Sequence, residues 1–313
     1  MMDTRNPQPA RWCGFLTIAV LVSILTGCAL TATQKSAVSS FSNSASAVGD
    51  VTSSELKAMR DGAVKMTTER LLLDGKNKYN KLGDQASLDR GFDLKTVETV
   101  SGATQALAAY GKSLAALVDD TQSAELKAAS NEFVASLGRV PTAKEHINDQ
   151  QLEAIGTVIQ GVGGYWIEWK RKQAVEKVVE HSQKAVEHLC DLLIRDFNPG
   201  DGKDVKPGWV VFQLGAIEEP LMTAATIALK EGRTYNDRKV ALEAFRLAHD
   251  SRMRRTEVLK RIADAATAMK KANNALAQAV ANSTWSFQDI QDFAQKAQSL
   301  KMAVKIIVTE REE

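Results

Sequence analysis

The chain has 313 residues, of which 44% are hydrophobic and 25% charged, so it can bury a sizeable core and is neither fibrous nor disordered in composition. Forty basic residues stand against thirty-eight acidic ones, and the formal net charge of +2 gives no electrostatic indication of a nucleic-acid partner. Aromatic residues make up only 6%, and runs of β-branched residues are scarce among many alanines, leucines, lysines and glutamates. This composition favours helices over strands.

The N-terminus has the layout of a secretory signal. Arg5 and Arg11 precede an uncharged apolar run from Phe15 to Leu25, after which small residues follow. The run is about half as long as the roughly 20 residues that a helix needs to cross a bilayer. A cleaved signal peptide is therefore favoured over a permanent membrane span.

The apolar run ends in a tetrapeptide, Leu25, Thr26, Gly27 and Cys28. It resembles the lipobox of bacterial lipoprotein precursors, and the resemblance covers the first 28 residues only. The resemblance implies that residues 1–27 are a signal peptide and that Cys28 is acylated and becomes the first residue of the mature chain. The alternative is an ordinary signal peptide with an incidental cysteine.

Two further features bear on the mature chain. In lipoproteins of this type an Asp after the acylated Cys retains the protein at the inner membrane, whereas Ala29 stands here. The resemblance thus implies the outer membrane, with both its periplasmic and its surface face left open.

With Cys28 carrying the lipid, Cys190 has no disulfide partner, and a buried inert thiol is expected there.

Prolines are absent from residues 28–140 and 221–313, which can therefore hold uninterrupted helices. Residues 28–36 are predicted to be the lipidated N-terminus and a short tether, and residues 37–313 a single α-helical domain. Turn chemistry predicts loops over 74–91, 138–149 and 198–208.

Apolar residues at three- and four-residue spacing predict the first helices. One runs from Val38 to Met66, with Gly49 and Gly62 as its weak points. A second begins near Val97 and continues to Leu137 after a break at residues 119–120, and a third covers 175–197.

The longest predicted helix covers residues 236–281 and would be roughly 70 Å long. Its apolar residues advance by about 3.5 residues per step, which predicts a coiled-coil-like seam. The seam consists of Leu242, Phe245, His249, Met253, Thr256, Leu259, Ile262, Ala266, Met269, Ala272, Leu276 and Val280. The predicted fold is therefore all-α, an elongated antiparallel bundle of long, coiled-coil-like helices.

Catalytic and cofactor motifs fail on inspection. Gly111-Lys112-Ser113 lacks the earlier glycine of a phosphate-binding loop, and the glycines at 161–164 lack both the third glycine and a preceding strand. His181 and His188 share a helix face but lie about 10 Å apart, too far to bind one zinc ion without ligands from another helix. We therefore expect no enzyme, no cofactor and no metal.

A basic cluster on the longest helix, Arg252, Arg254, Arg255, Lys260 and Arg261, alternates with acidic residues. This alternation is typical of a solvated helix face, which is favoured over a phosphate site.

An apolar, glycine-rich segment over 152–169 ends in Tyr165, Trp166 and Trp169 and is followed by three basic residues. Aromatic residues beside cations favour a membrane interface or a partner surface, whereas tight packing against neighbouring helices is the plainer interpretation.

Two functions stay open. The first is a lipid-anchored scaffold or accessory subunit of the cell envelope that contacts protein partners through helix faces, with oligomers as one form of such contact. The second is a membrane-active helical protein that uses segment 152–169 and resembles the long-helix bacterial pore-forming toxins in outline only.

Overall fold

A computed structural model describes residues 29–73, 88–89, 91–119, 123–140, 147, 149–161, 168–200, 206–282 and 286–309. These residues contain helices and no strand, so the predicted all-α class is confirmed for them. The helices are α1 (Ala32–Leu73), α2 (Leu94–Val118), α3 (Ser123–Gly138), α4 (Asp149–Gly161), α5 (Glu168–Phe197), α6 (Trp209–Glu231), α7 (Tyr235–Arg254), α8 (Lys260–Asn282) and α9 (Gln288–Thr309). A π-helical segment, Arg255–Leu259, joins α7 to α8.

Helix α1 begins earlier than the sequence predicts. The Thr31 hydroxyl accepts a hydrogen bond from the Gln34 backbone N–H at 3.2 Å, and the Gln34 side chain accepts one from the Thr31 N–H at 2.8 Å. This reciprocal capping box satisfies N–H groups that a helix start leaves open. The tether expected over residues 29–36 is therefore helical from Ala32 onward.

Helices α1 and α2 run in opposite directions at very short separation. Ser53 lies beside Ser101, with 3.2 Å between the two hydroxyl oxygens, while Gly111 lies against the backbone of Ser42. A methyl group at Gly49 would come within 2.4 Å of the Thr104 carbonyl oxygen. The glycine that the sequence marks as a weak point is thus a contact point, since any side chain there would push the two helices apart.

A group of buried aromatic rings joins α1, α2, α3 and α9. The Tyr110 ring packs edge-on against Phe41 at 6.0 Å between centroids, and Phe133 and Phe293 complete the group. The Tyr110 hydroxyl donates a 2.8 Å hydrogen bond to Oδ1 of Asn273 on α8, and burial raises the pKa of this hydroxyl. A tyrosine can be buried fully only if its hydroxyl is partnered in this way.

The predicted helix over 236–281 is present, but the predicted seam is buried only in its second half. Helical backbone is continuous from Tyr235 to Asn282 through α7, the π segment and α8. In the second half Leu259, Ile262 and Met269 are buried, as the seam predicts. In the first half Leu242 is 41% and Met253 53% exposed, so the prediction of one continuous buried seam is wrong there.

The steps of the predicted seam explain the difference. Buried residues recur at multiples of seven positions on both sides of the π segment, at Ala241 and Ala248 in α7 and at Ile262 and Met269 in α8. The seam instead takes three consecutive three-residue steps from Met253 to Ile262, and each such step falls about 60° short of a full turn. The seam therefore passes from the outward face of α7 to the buried face of α8. The elongated outline of the bundle stays a prediction.

Candidate functional site

Two buried ion pairs flank the junction between α7 and the π segment. Arg254 is the last residue of α7 and Arg255 the first of the π segment. Successive residues on a helix point about 100° apart, so the two guanidinium groups meet different neighbours. Arg254 pairs with Glu55 of α1, and Arg255 pairs with Glu218 of α6.

The carboxylate of Glu218 is completely buried in the contact between α6 and α7. Its Oε1 accepts a 2.7 Å hydrogen bond from the Ser251 hydroxyl, and its Oε2 accepts one of 2.9 Å from Nε of Arg255. Burial raises the pKa of Glu218, and the two hydrogen bonds and the charges of Arg255 and Arg252 oppose this rise without cancelling it. These contacts hold the hairpin of α6 and α7 in one register.

The second pair is also removed from water. Nε of Arg254 lies 3.5 Å from Oε2 of Glu55, and the two side chains are 8% and 4% exposed. Removing one member of such a pair leaves the other charge buried, which is costly. This pair therefore ties α7 to α1 as the first ties it to α6.

Both pairs correct the interpretation of the basic cluster as a solvated helix face. Arg254 is buried and Arg255 only 21% exposed at its side chain, whereas Arg252 and Lys260 do lie at the surface. The acidic partners lie on distant helices, so spacing within the cluster could not reveal them. The one local signal is the pair Glu218-Glu219 in the middle of an apolar run.

The face of α7 opposite these contacts carries three large exposed side chains, Tyr235, Leu242 and Met253, whereas Phe245 and Leu247 of the same helix pack partly against the core. Towards α1 and α6 the helix buries alanines, Ala241, Ala244 and Ala248. On its other face lies what we call the outer stripe, consisting of Tyr235, Leu242, His249 and Met253, which helical geometry places within about 40° of one another. Tyr235 is 75% exposed, and the His249 ring stacks on Phe245 at 6.4 Å between centroids.

The end of the α6–α7 hairpin is exposed on all sides. None of residues 226–240, all of which the structure describes, is buried. Three large apolar side chains in this range are exposed, at 49% for Ile227, 75% for Tyr235 and 42% for Val240. Thr234 and Asp237 form a capping box that fixes the start of α7, so this end is ordered helix. Large apolar side chains are thus exposed on an ordered part of the hairpin.

If the outer stripe lies outside the core, Leu242→Ser should change the free energy of unfolding by less than about 0.5 kcal/mol, because exposed substitutions rarely do more. Leu247 is the matched control, since it lies on the same helix but packs partly against the core. We expect Leu247→Ser to cost about 1 kcal/mol, roughly half the value of a fully buried leucine. Urea midpoints measure both, and an equal loss in the two variants would place Leu242 in the core.

The sequence-predicted site residues are only partly within the described chain. Leu25, Thr26, Gly27 and Cys28 lie outside it, as do Tyr165, Trp166 and the side chain of Trp169. In the described part of segment 152–169, Ile155 is buried and Leu152 packs partly against the core. This first part of the segment belongs to the bundle.

Histidine and cysteine chemistry is equally limited in the described residues. His181 and His188 both lie on α5, and no three histidine, cysteine, aspartate or glutamate side chains of the described chain gather as metal ligands would. Cys190 is buried as predicted, and burial raises the pKa of its thiol, which disfavours the reactive thiolate.

None of the helices in the described ranges is long and apolar enough to span a bilayer.

A groove of about 1210 Å³ is lined by α1, α2 and the end of α3. Four basic and four acidic side chains line it, so its net charge selects neither anions nor cations. They are Lys57, Arg60, Lys95, Arg139, Asp50, Asp61, Glu98 and Glu132. The outer stripe is the better candidate site.

No protein-family model matches this chain, and neither does any curated protein or solved structure.

Proposed function

We propose that the protein is a lipid-anchored helical protein of the cell envelope that acts as a scaffold or accessory subunit by presenting helix faces to protein partners. The observation that carries the proposal is the outer stripe, where Tyr235, Leu242 and Met253 are exposed while alanines face the core. Large apolar side chains stabilise a fold only when they are buried. Their outward position on an ordered helix is of use if a partner covers them.

The spacing of the outer stripe supports a helical partner. Its residues recur after seven, seven and four positions, which places them along one side of α7. Such a row fits the apolar face of an amphipathic helix, whose side chains pack between those of the stripe. The buried pairs of Arg254 and Arg255 hold the presenting helix in place, so the surface is preorganised for binding.

The anchor is proposed from the lipobox resemblance. The Cys28→Ser variant should leave the membrane fraction or accumulate as unprocessed precursor, whereas the wild-type chain should require detergent for release. Each buried methylene contributes about 0.8 kcal/mol, so a multiply acylated cysteine holds a protein firmly where a single chain holds it marginally. Fractionation of cells with immunoblotting measures both. A Cys28→Ser chain that is processed and still fractionates with membranes would contradict the anchor.

Partner contact is tested by a photo-crosslinking amino acid at position 242 of the full-length chain in living cells. We expect crosslinks to polypeptide, and the same amino acid at Lys271, an exposed position on α8, serves as the control. Crosslinks to lipid alone would favour the membrane-active alternative. Equal crosslinking at 242 and 271 would remove the support that the outer stripe gives to the scaffold function.

A further inference from the structure

A row of charges beside the outer stripe has an unusual symmetry. Lys239, Glu243, Arg246 and Asp250 all lie on one side of the stripe, within about 60° of one another around the helix. Their signs alternate along the chain, and all four are exposed, with side-chain exposures of 58% for Lys239, 63% for Glu243 and 57% for Asp250. We call these four residues the charged flank.

The charged flank is complementary in charge to a second copy of itself that runs in the opposite direction. Its spacings of four, three and four residues read the same in both directions, while its signs are inverted on reversal. The pairs Lys239 with Asp250 and Glu243 with Arg246 are centred on one point, between Ala244 and Phe245. A two-fold axis through that point would therefore place every charge of this flank opposite a charge of the other sign on the flank of the second copy.

We propose that the outer stripe binds a second copy of this chain, with the two α7 helices antiparallel about this axis. The inference rests on the proposed function and names the partner. In an isologous contact residue i meets j of the partner and j meets i, so two Lys239–Asp250 and two Glu243–Arg246 pairs form together. A parallel pair would instead place the charged flanks of the two copies on opposite sides of the contact, where they could not pair.

The outer stripe spans the same axis, although its members are not mirror positions about it. Leu242 and His249 lie on either side of the axis, and Tyr235 and Met253 lie farther out along the stripe, so the stripes of two copies overlap along their length. The inner alanines keep α7 close to α1 and α6, and the helix therefore presents a fixed face. Exposed ion pairs contribute little singly and chiefly select orientation and partner. The contact is weak in dilute solution and is favoured by anchoring, because tethering to a common membrane raises the effective concentration.

The test reverses the charges in two ways. An acidic variant, Lys239→Glu with Arg246→Glu, makes the charged flank wholly negative, and a basic variant, Glu243→Lys with Asp250→Lys, makes it wholly positive. Full-length chains carrying two different tags and the photo-crosslinking amino acid at position 242 are produced together in cells and crosslinked in the intact membrane, which is then dissolved in detergent. Recovery of one tag with the other measures pairing.

We expect wild type to recover wild type, and each variant to recover itself about tenfold less well, since four pairs of about 0.2 to 1 kcal/mol turn from attractive to repulsive. The acidic and basic variants produced together should pair again. The control, Lys271→Glu with Lys301→Glu, changes the net charge as the acidic variant does at exposed positions on α8 and α9, and it should pair like wild type.

Absence of wild-type pairing would overturn the proposal, and so would variants that recover themselves as well as wild type does. The crosslinker at position 242 separates this failure from that of the proposed function. A crosslink to a different polypeptide, with no effect of the charge reversals, would refute the second copy and keep the scaffold function. Absence of any polypeptide crosslink would refute both.

Discussion

Replacing Arg255 with methionine should lower the free energy of unfolding by about 3 kcal/mol. The change removes the guanidinium group that lies 2.9 Å from the completely buried carboxylate of Glu218. A buried charge that loses its partner typically costs about 3 to 5 kcal/mol, and we expect the lower end because the Arg255 side chain is still 21% exposed. Urea unfolding followed by circular dichroism measures the loss.

The matched control replaces both members. Glu218→Met combined with Arg255→Met removes the buried charge together with its partner, and pairs replaced by apolar residues of similar volume are often as stable as the original. The double variant should therefore recover most of the stability that the single one loses. A double variant at least as unstable as Arg255→Met would mean that packing at this junction, and not the buried charge, causes the loss.

The pH dependence of stability provides a second test of the buried Glu218 carboxylate. Burial raises the pKa of Glu218 above its ordinary value of 4.5, so the folded state binds this proton more tightly than the unfolded state does. The stability of wild type relative to a Glu218→Gln variant, which cannot ionise, should therefore fall as the pH rises from the ordinary pKa through the raised one, and stay constant above it. A relative stability that increases over this interval would show that the attraction of Arg255 outweighs burial.

Gly111→Ala should destabilise the protein although alanine is the better helix former. Its methyl group would lie 2.5 Å from the carbonyl oxygen of Ser42 and 2.8 Å from the backbone nitrogen of Ser46, and neither backbone atom can move without moving α1. Overpacking of this kind costs about 1 to 3 kcal/mol. The urea midpoint should fall accordingly.

Gly62→Ala is the control, because a methyl group there meets nothing within 4 Å. This glycine also lies inside α1, and alanine at such a position stabilises a helix by about 0.5 to 1 kcal/mol. The two substitutions should therefore shift the midpoint in opposite directions. A shift in the same direction would mean that α1 and α2 are not held at the separation described.

The predicted helical regions could be found because their signals are local, whereas α4, α6 and α9 lie outside them. The break predicted at residues 119–120 falls between α2 and α3, and the predicted loop over 198–208 lies between α5 and α6. Turn residues and Pro199 and Pro207 act through their own backbone angles and indicate where helices end, whereas Pro220 lies inside α6. The spacing of apolar residues likewise placed the buried face of α8 correctly at Ile262 and Met269.

The candidate site depends on contacts that spacing does not encode. Arg254 and Arg255 look like neighbours on a solvated face, and only Glu55 and Glu218 on other helices show them to be buried. Gly49 and Gly62 look alike in the sequence, but only the first meets another backbone. The π segment carries no sequence signature that would mark it.

Because α7 contacts the bundle through alanines, substitutions on its exposed face and on its buried face have different effects on folding. Substitutions among Tyr235, Leu242 and Met253 leave the buried contacts of Ala241, Ala244 and Ala248 unchanged. Such substitutions can accumulate without loss of folding, so binding preference on this face can diverge between related chains while the architecture is kept. The exposed face of α7 can thus change in sequence, whereas its alanine face cannot change without loss of packing.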